Sequence, residues 1–214
     1  MNTRMRGHSD LYLVMILTLF SAVSGLLLAL VNTITKDRIA QVAIETQKKA
    51  LTEIIPEFDA TEVETILPDP MDPFELIICK KAGAITGIAI KLSSRLLSPQ
   101  DLQKLSIAPD ARQDPAYSDP IKLLVGFTPD RKISGVSVIQ CRETPGLGTK
   151  INTKQYKSNF AGYGIDEKTW LVKKDGGNVE QITAATISSR AMTSTVAKAI
   201  AIFKARATAL NLSK

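Results

Sequence analysis

Phe74-Glu75-Leu76-Ile77-Ile78-Cys79-Lys80-Lys81-Ala82-Gly83-Ala84-Ile85-Thr86-Gly87-Ile88-Ala89-Ile90 is the stretch on which the fold turns. Residues 74–79 form an apolar run of strand-forming side chains, residues 80–83 carry turn chemistry, and residues 85–90 make a second strand. The design returns downstream. Residues 121–127 read as a strand, Thr128-Pro129-Asp130 as a turn, and Ile133-Ser134-Gly135-Val136-Ser137-Val138 as a second strand. Both second strands fit Ile-[Thr/Ser]-Gly-[Ile/Val]-[Ala/Ser]-[Ile/Val]. The shared pattern marks either an internal duplication or convergent hairpin chemistry. Two such hairpins and a long terminal helix predict an α+β fold, a mostly antiparallel twisted sheet with helices packed on one side.

That terminal helix is read from Ser188 onward. Met192, Val196, Ala199, Ile200, Phe203, Ala207 and Leu210 recur on one apolar face, with Arg190, Ser194, Lys198, Lys204 and Arg206 largely elsewhere. Residues 153–161 suggest a short helix, and residues 169–173 a brief strand carrying Trp170. Between the hairpins, residues 98–120 are polar and proline-containing. Before the first hairpin, residues 56–73 hold Pro56, Pro68, Pro70 and Pro73 and read as an irregular connector.

Further upstream, Ile39, Val42, Ala43, Thr46, Ala50 and Ile54 recur at helical spacing, so residues 36–55 read as a helix that Pro56 stops. Residues 11–31 contain no charge, and only Tyr12, Thr18, Ser21, Ser24 and Gly25 interrupt their aliphatic character. A bilayer-spanning helix needs about 20 residues. The run outlasts the core of a signal peptide, about 7–15 residues, and Ala29-Leu30-Val31 is a poor cleavage site, so an uncleaved anchor is favoured over a removed signal. Arg4 and Arg6 before the run and Lys36 and Arg38 after it nearly balance. The short first segment places the N-terminus inside and the domain outside the cytoplasm. The expected organisation is a tail at 1–10, an anchor at 11–31, a helical stalk and connector at 32–73, and a domain at 74–214.

Lys and Arg number 27 against 21 Asp and Glu, a formal net charge of +6. The excess lies in scattered doublets such as Lys48-Lys49 and Lys173-Lys174. Without a basic stripe or an aromatic platform, this argues against nucleic-acid binding. Cys79 and Cys141 form no Cys-x-x-Cys pair, and His8 is the only histidine, which excludes a zinc or iron–sulfur site in this chain. The two cysteines are either a disulfide or a pair of partly buried thiols near strand ends.

Two stretches carry candidate chemistry. Gln181-Ile182-Thr183-Ala184-Ala185-Thr186-Ile187-Ser188-Ser189 is a small, hydroxyl-rich turn at the mouth of the last helix. A helix N-terminus offers free N–H groups and the positive end of a dipole, so it can seat a phosphate. The plainer alternative is a helix cap made by Thr186, Ser188 or Ser189. Glu143-Thr144-Pro145-Gly146-Leu147-Gly148-Thr149-Lys150 follows the second hairpin directly. Its Pro-Gly turn and second glycine would let the backbone approach a flat ligand, with Glu143 and Thr144 at that ligand's polar edge. It has neither the rhythm of a dinucleotide-binding loop nor the spacing of a Walker P-loop.

Taken together, Glu143–Gly148, the segment Trp170–Gly177 and the [Ser/Thr]-x-Ala-Thr turn opening the last helix are more specific than any one alone. The chain resembles the FMN-binding subunits of bacterial respiratory complexes. The likeness is strongest to the G subunits of Rnf-type ion-translocating ferredoxin:NAD oxidoreductases, and more distant to the C subunit of the sodium-translocating NADH:quinone reductase. It covers nearly the whole chain, including the single N-terminal span and Tyr117-Ser118.

The resemblance implies a membrane-anchored electron carrier in a redox-driven ion pump. FMN would be held covalently by a phosphodiester to Thr186 and installed from FAD by a separate flavin transferase. Glu143, Thr144, Gly146, Leu147 and Gly148 would shape the flavin pocket, with Thr183, Ala184, Ala185, Ile187 and Ser188 around the phosphate. It further implies the cytoplasmic membrane of a bacterium or archaeon, with iron–sulfur and flavin subunits of the complex and the lipid bilayer as partners. No metal and no catalytic acid–base pair of the chain's own is called for. The chain departs from the family motif at Ala184, where the family has glycine, and at Glu180, where it usually has aspartate. If that backbone position needs positive φ, alanine costs about 1 kcal/mol and bears on the efficiency of attachment. A flavin-free scaffold subunit of such a complex is the alternative. A stand-alone flavoenzyme is disfavoured because the chain offers no substrate-binding constellation.

Overall fold

A computed structural model describes residues 6–55, 57–70 and 72–210. Arg4 in the expected tail and Pro56, the expected helix stop, lie outside the described residues. The chain divides into two compact units between Thr46 and Gln47.

The first unit is helical. Helix α1 runs from Arg6 to Ile54, so the segments expected to be anchor and stalk form one continuous helix that begins inside the expected tail. No helix-breaking residue interrupts residues 32–35, Asn-Thr-Ile-Thr, and the helix continues through them. Among the described residues it is the one helix long and apolar enough to cross a membrane. Its apolar side chains face outward, with Leu17, Leu26 and Leu28 more than two-thirds exposed. Two hydroxyls within the run and one just past it pair with carbonyls one turn back. Thr18 donates to the Val14 carbonyl, Ser21 to Leu17 and Thr33 to Ala29, each at 2.8 Å. That local pairing suits a segment with no water to bond to.

The second unit is built on a five-stranded antiparallel sheet in the order β1-β2-β3-β4-β5. The strands are β1 (Ala60–Leu67), β2 (Phe74–Lys81), β3 (Ala84–Ser93), β4 (Lys122–Phe127) and β5 (Ile133–Gln140). Both expected hairpins are present, as β2–β3 and β4–β5, and β3 pairs β4 with Ile88 opposite Phe127. Alternation along each strand separates two cores. Phe74, Leu76, Ile88, Ile90, Leu123, Val125 and Phe127 face helix α4 (Thr186–Ala209) and its Met192, Val196, Ala199 and Phe203. The Phe127 and Phe203 rings stack there at 4.4 Å. On the opposite face Ile77, Cys79, Ala89 and Leu124 pack against Ala50, Leu51, Ile54 and Ile55. Helices therefore cover both faces of the sheet, not one.

This second core accounts for the glycine common to the two hairpins. A Cβ on Gly87 would lie 2.9 Å from Ile55 Cδ1, and one on Gly135 would lie 3.0 Å from Ile54 Cγ2. The last residues of the N-terminal helix and its exit press on both places where the repeated pattern has no side chain.

Several local expectations change. Residues 56–73 are not wholly irregular, because β1 pairs with β2 there, Val63 opposite Ile77. Its exposed edge position favours Thr and Glu and hides the strand signal. Residues 98–120 include a short helix α2 (Pro99–Lys104), capped by the Ser98 hydroxyl accepting from the Asp101 N–H. The helix expected over 153–161 contracts to α3 (Lys154–Lys157). Residues 169–173 form no strand. Val172 makes a single bridge to Val179, a 3₁₀ turn follows over Lys173–Asp175, and Trp170 donates its Nε1–H to the Ile165 carbonyl at 2.9 Å. On α4, Ser194 and Lys198 are buried instead of facing solvent.

Candidate functional site

The site forms where three chain segments meet: the loop after β5, the start of α4, and Tyr117-Ser118 from the connection before β4. The loop is shaped locally. Pro145 and Gly146 occupy the corner of a tight turn, Gly146 has φ 74°, and the Leu147 N–H donates to the Thr144 carbonyl at 3.2 Å. The Gly146 N–H donates to Thr149 Oγ1 at 3.0 Å. A 3₁₀ turn, Gly148–Asn152, then leads into α3.

Helix α4 starts at Thr186, two residues earlier than its apolar stripe predicts. Ala185 is the N-cap residue and makes no side-chain cap. The hydroxyl-cap alternative therefore fails at this helix, and its serines serve elsewhere. Ser189 Oγ accepts from the Ile182 N–H at 3.0 Å and donates to the Ala185 carbonyl at 2.9 Å, bracing the turn. Ser188 Oγ donates to Glu143 Oε2 at 2.7 Å. Among the described residues, the N–H groups of Thr186, Ile187 and Ser188 have no protein acceptor, and neither does the Thr186 hydroxyl. The first turn thus presents three donors and the positive end of a long helix. Just before it, the Ala185 N–H closes onto the Ile182 carbonyl at 3.0 Å, and Ala184 sits at φ 64°. This is the backbone conformation for which glycine is the natural residue.

A cleft of about 440 Å³ opens between loop and helix, lined by Tyr117, Glu143, Thr144, Leu147, Gly148 and residues 184–188. The two candidate motifs are brought together. Of the residues singled out from sequence, Gly146 and Thr183 do not line the cleft. Gly146 shapes the turn, and Thr183 is exposed beside it. Tyr117 is the lining residue that motif reasoning on the chain itself missed. It is 68% exposed and lies in a proline-flanked polar stretch without periodicity. Leu147 and Ile187 are also exposed, so an apolar rim surrounds a floor of polar groups.

Glu143 is only 4% exposed. Its Oε1 accepts from the N–H groups of Tyr117 at 2.9 Å and Ser118 at 3.2 Å, while Oε2 receives Ser188. Gly148 is explained by that arrangement. A Cβ there would lie 2.6 Å from Glu143 Cβ and 2.7 Å from Ser188 Oγ. Its lack of a side chain makes room for this internal contact.

Flanking contacts hold the helix mouth. Arg190 grips Asp175 through two hydrogen bonds of 2.7 and 2.6 Å, and Arg112 reaches the same carboxylate at 2.8 Å. The hydrogen bond from Arg190 holds the Asp175 carboxyl below its ordinary range. Glu180 pairs with Lys173. A larger cleft of about 710 Å³ lies along residues 180–182 and is lined by Lys150, Gln155, Tyr156, Asn159 and Lys173 among others. It is the bigger space, yet the free N–H groups of α4 and the Thr186 hydroxyl open into the smaller one, which is the candidate site on chemical grounds.

Both cysteines are free. Cys79 lies in the core facing α1 and Cys141 packs against the core facing α4, so the sheet separates them and the thiol alternative holds. Burial pushes the Cys79 thiol up to about 11. Among the described residues no group of three His, Cys, Asp or Glu is placed to hold a metal ion.

Residues 116–201, which hold both motifs and Tyr117, match the FMN-binding domain family, and residues 5–54 match the RnfG N-terminal region. The chain is 34% identical over 202 residues to the G subunit of the ion-translocating oxidoreductase complex of Shewanella baltica (strain OS223), covering 88% of this chain and 86% of that protein. The corresponding G subunits of Yersinia pestis and Escherichia coli O157:H7 are 34% and 32% identical, covering 86% of this chain and 85% of each relative.

Proposed function

The chain belongs to the family of G subunits of ion-translocating oxidoreductase complexes, and from that premise we propose that FMN is joined through its phosphate to the Thr186 hydroxyl. The protein is a membrane-associated electron-transfer subunit with an FMN-binding domain. Bound FMN supplies the redox chemistry. The chain supplies the setting.

The residues present fit such a group. The unpaired N–H groups of residues 186–188 and the dipole of α4 offset the charge of a phosphate at the helix mouth. The Thr186 hydroxyl lines the same cleft without an internal hydrogen bond to compete for it. Tyr117, Leu147 and Ile187 give an apolar rim suited to a flat aromatic ring. A covalent tether keeps the cofactor in a cleft open enough for electrons to enter and leave. The observation that carries this reading is the meeting of the 143–148 loop with a helix start whose first residue is an unengaged threonine.

The finer picture follows the family. A flavin transferase installs the group, other redox subunits of the complex exchange electrons with it, and the second unit lies on the extracytoplasmic side of the membrane. Co-expression of the full chain with a flavin transferase tests the central point. The wild-type Thr186 peptide is expected to gain the mass of FMN less one water, and Thr186→Val is expected to abolish the gain. A label that survives Thr186→Val rejects the site. A wild-type peptide that stays unlabelled leaves a flavin-free scaffold subunit.

A further inference from the structure

We infer that Glu143 is a positioning residue that builds the flavin cleft through hydrogen bonds and lowers the potential of the flavin held there through its charge. The inference rests on the flavin reading above and adds a role for one side chain. Glu143 is almost fully buried, and its partners are neutral donors from two other segments: the N–H groups of Tyr117 and Ser118 and the hydroxyl of Ser188. One carboxylate therefore joins the loop after β5 to the connection before β4 and to the first turn of α4. These are the three segments that wall the cleft. All three contacts use carboxylate oxygens as acceptors, the pattern of the charged form. Gly148 keeps the space this arrangement needs. Reduction adds negative charge to a flavin, and a fixed anion in the wall of the same cleft opposes that addition more strongly than it would in water.

Glutamine at this position separates shape from charge. Its amide oxygen can accept from Tyr117 and Ser118, and its NH₂ can donate to the Ser188 oxygen. Spectroelectrochemical titration of the full-length, flavin-loaded protein in detergent, with flavin content read by mass, gives the test. Glu143→Gln is expected to keep its FMN and shift the midpoint potential upward. Ser188→Ala keeps the charge but removes one of its donors, and is expected to shift the potential downward. A Glu143→Gln protein with the wild-type potential, or two variants that shift in the same direction, overturns the inference. A folded Glu143→Gln protein that takes up no FMN overturns the claim that hydrogen bonding shapes the cleft. Should Glu143→Gln fail to fold, Ser188→Ala decides alone, and an unchanged potential counts against the inference. Wild-type protein that carries no flavin rejects the underlying flavin reading, and this inference with it.

Discussion

Ala184 holds a left-handed backbone, φ 64°, two residues before the proposed attachment point. Glycine adopts that conformation without a Cβ penalty, and the residue is exposed, so no packing is lost by trimming it. Ala184→Gly is expected to raise stability by about 0.5–1 kcal/mol, read as a higher urea midpoint at unchanged slope. An unchanged or lower midpoint would show that the turn carries no such strain. Lys198 is a second residue under tension. Its ammonium is buried and donates to the carbonyls of Ser93 at 3.2 Å and Arg95 at 3.0 Å. Burial, reinforced by the nearby Arg95 charge, lowers it from 10.5 to about 8. Between those values the unfolded chain holds a proton that the folded chain has released, so this residue makes stability rise with pH across the window. Cys79, pushed up from 9.0, acts in the opposite direction, so the contrast with a variant isolates the lysine. From about pH 8 to about pH 10.5, wild type is expected to gain about 3 kcal/mol relative to Lys198→Met in urea unfolding. A difference that stays constant with pH would place the lysine in contact with water.

At the scale of elements, what sequence could and could not disclose follows from where each signal is stored. The two hairpins were legible because β2 to β5 are buried on both faces, which writes itself into near-continuous runs of strand-forming apolar side chains separated by turn residues. The edge strand β1 was not, because its side chains are mostly exposed and it is held by main-chain pairing, which any residue but proline can supply. The face of α4 was legible at Met192, Val196 and Phe203. It misled at Lys198, whose polar end reaches carbonyls on another element that helical periodicity cannot reveal. The same limit governs the site. Each motif could be seen as a string, but the contacts that join them span 45 residues from Glu143 to Ser188 and 26 from Tyr117 to Glu143. Gly148 read as a place for a ligand to approach the backbone, and only the folded chain shows that Glu143 and Ser188 claim the space a side chain there would fill. The repeated glycine at 87 and 135 likewise records a neighbour, the last residues of α1 and its exit, rather than proving a duplication.

At the scale of the whole molecule, the division after Thr46 separates the long apolar helix from a unit with cores on both sides of its sheet. The second core depends on residues just past the division. Ala50, Leu51, Ile54 and Ile55 are each at most 6% exposed, Glu53 accepts from the Ser137 hydroxyl at 3.1 Å, and Lys157 reaches the same carboxylate at 3.4 Å. Burying a large aliphatic side chain stabilises by about 1.5–3 kcal/mol, so Leu51, Ile54 and Ile55 together contribute roughly 5 kcal/mol or more. The whole stability of a domain is about 5–15 kcal/mol. Where the chain is cut therefore decides whether the FMN-binding domain survives without the long apolar helix. A fragment of residues 47–214 is expected to be soluble, to melt cooperatively and to accept FMN at Thr186 when co-expressed with the transferase. A fragment of residues 57–214 lacks one lid of the sheet, exposes Ile77 and Leu124, and is expected to lose its near-ultraviolet circular dichroism or to melt far lower. Equal melting of the two fragments would show that the end of α1 belongs with the apolar helix alone and that the sheet's second face is stable uncovered.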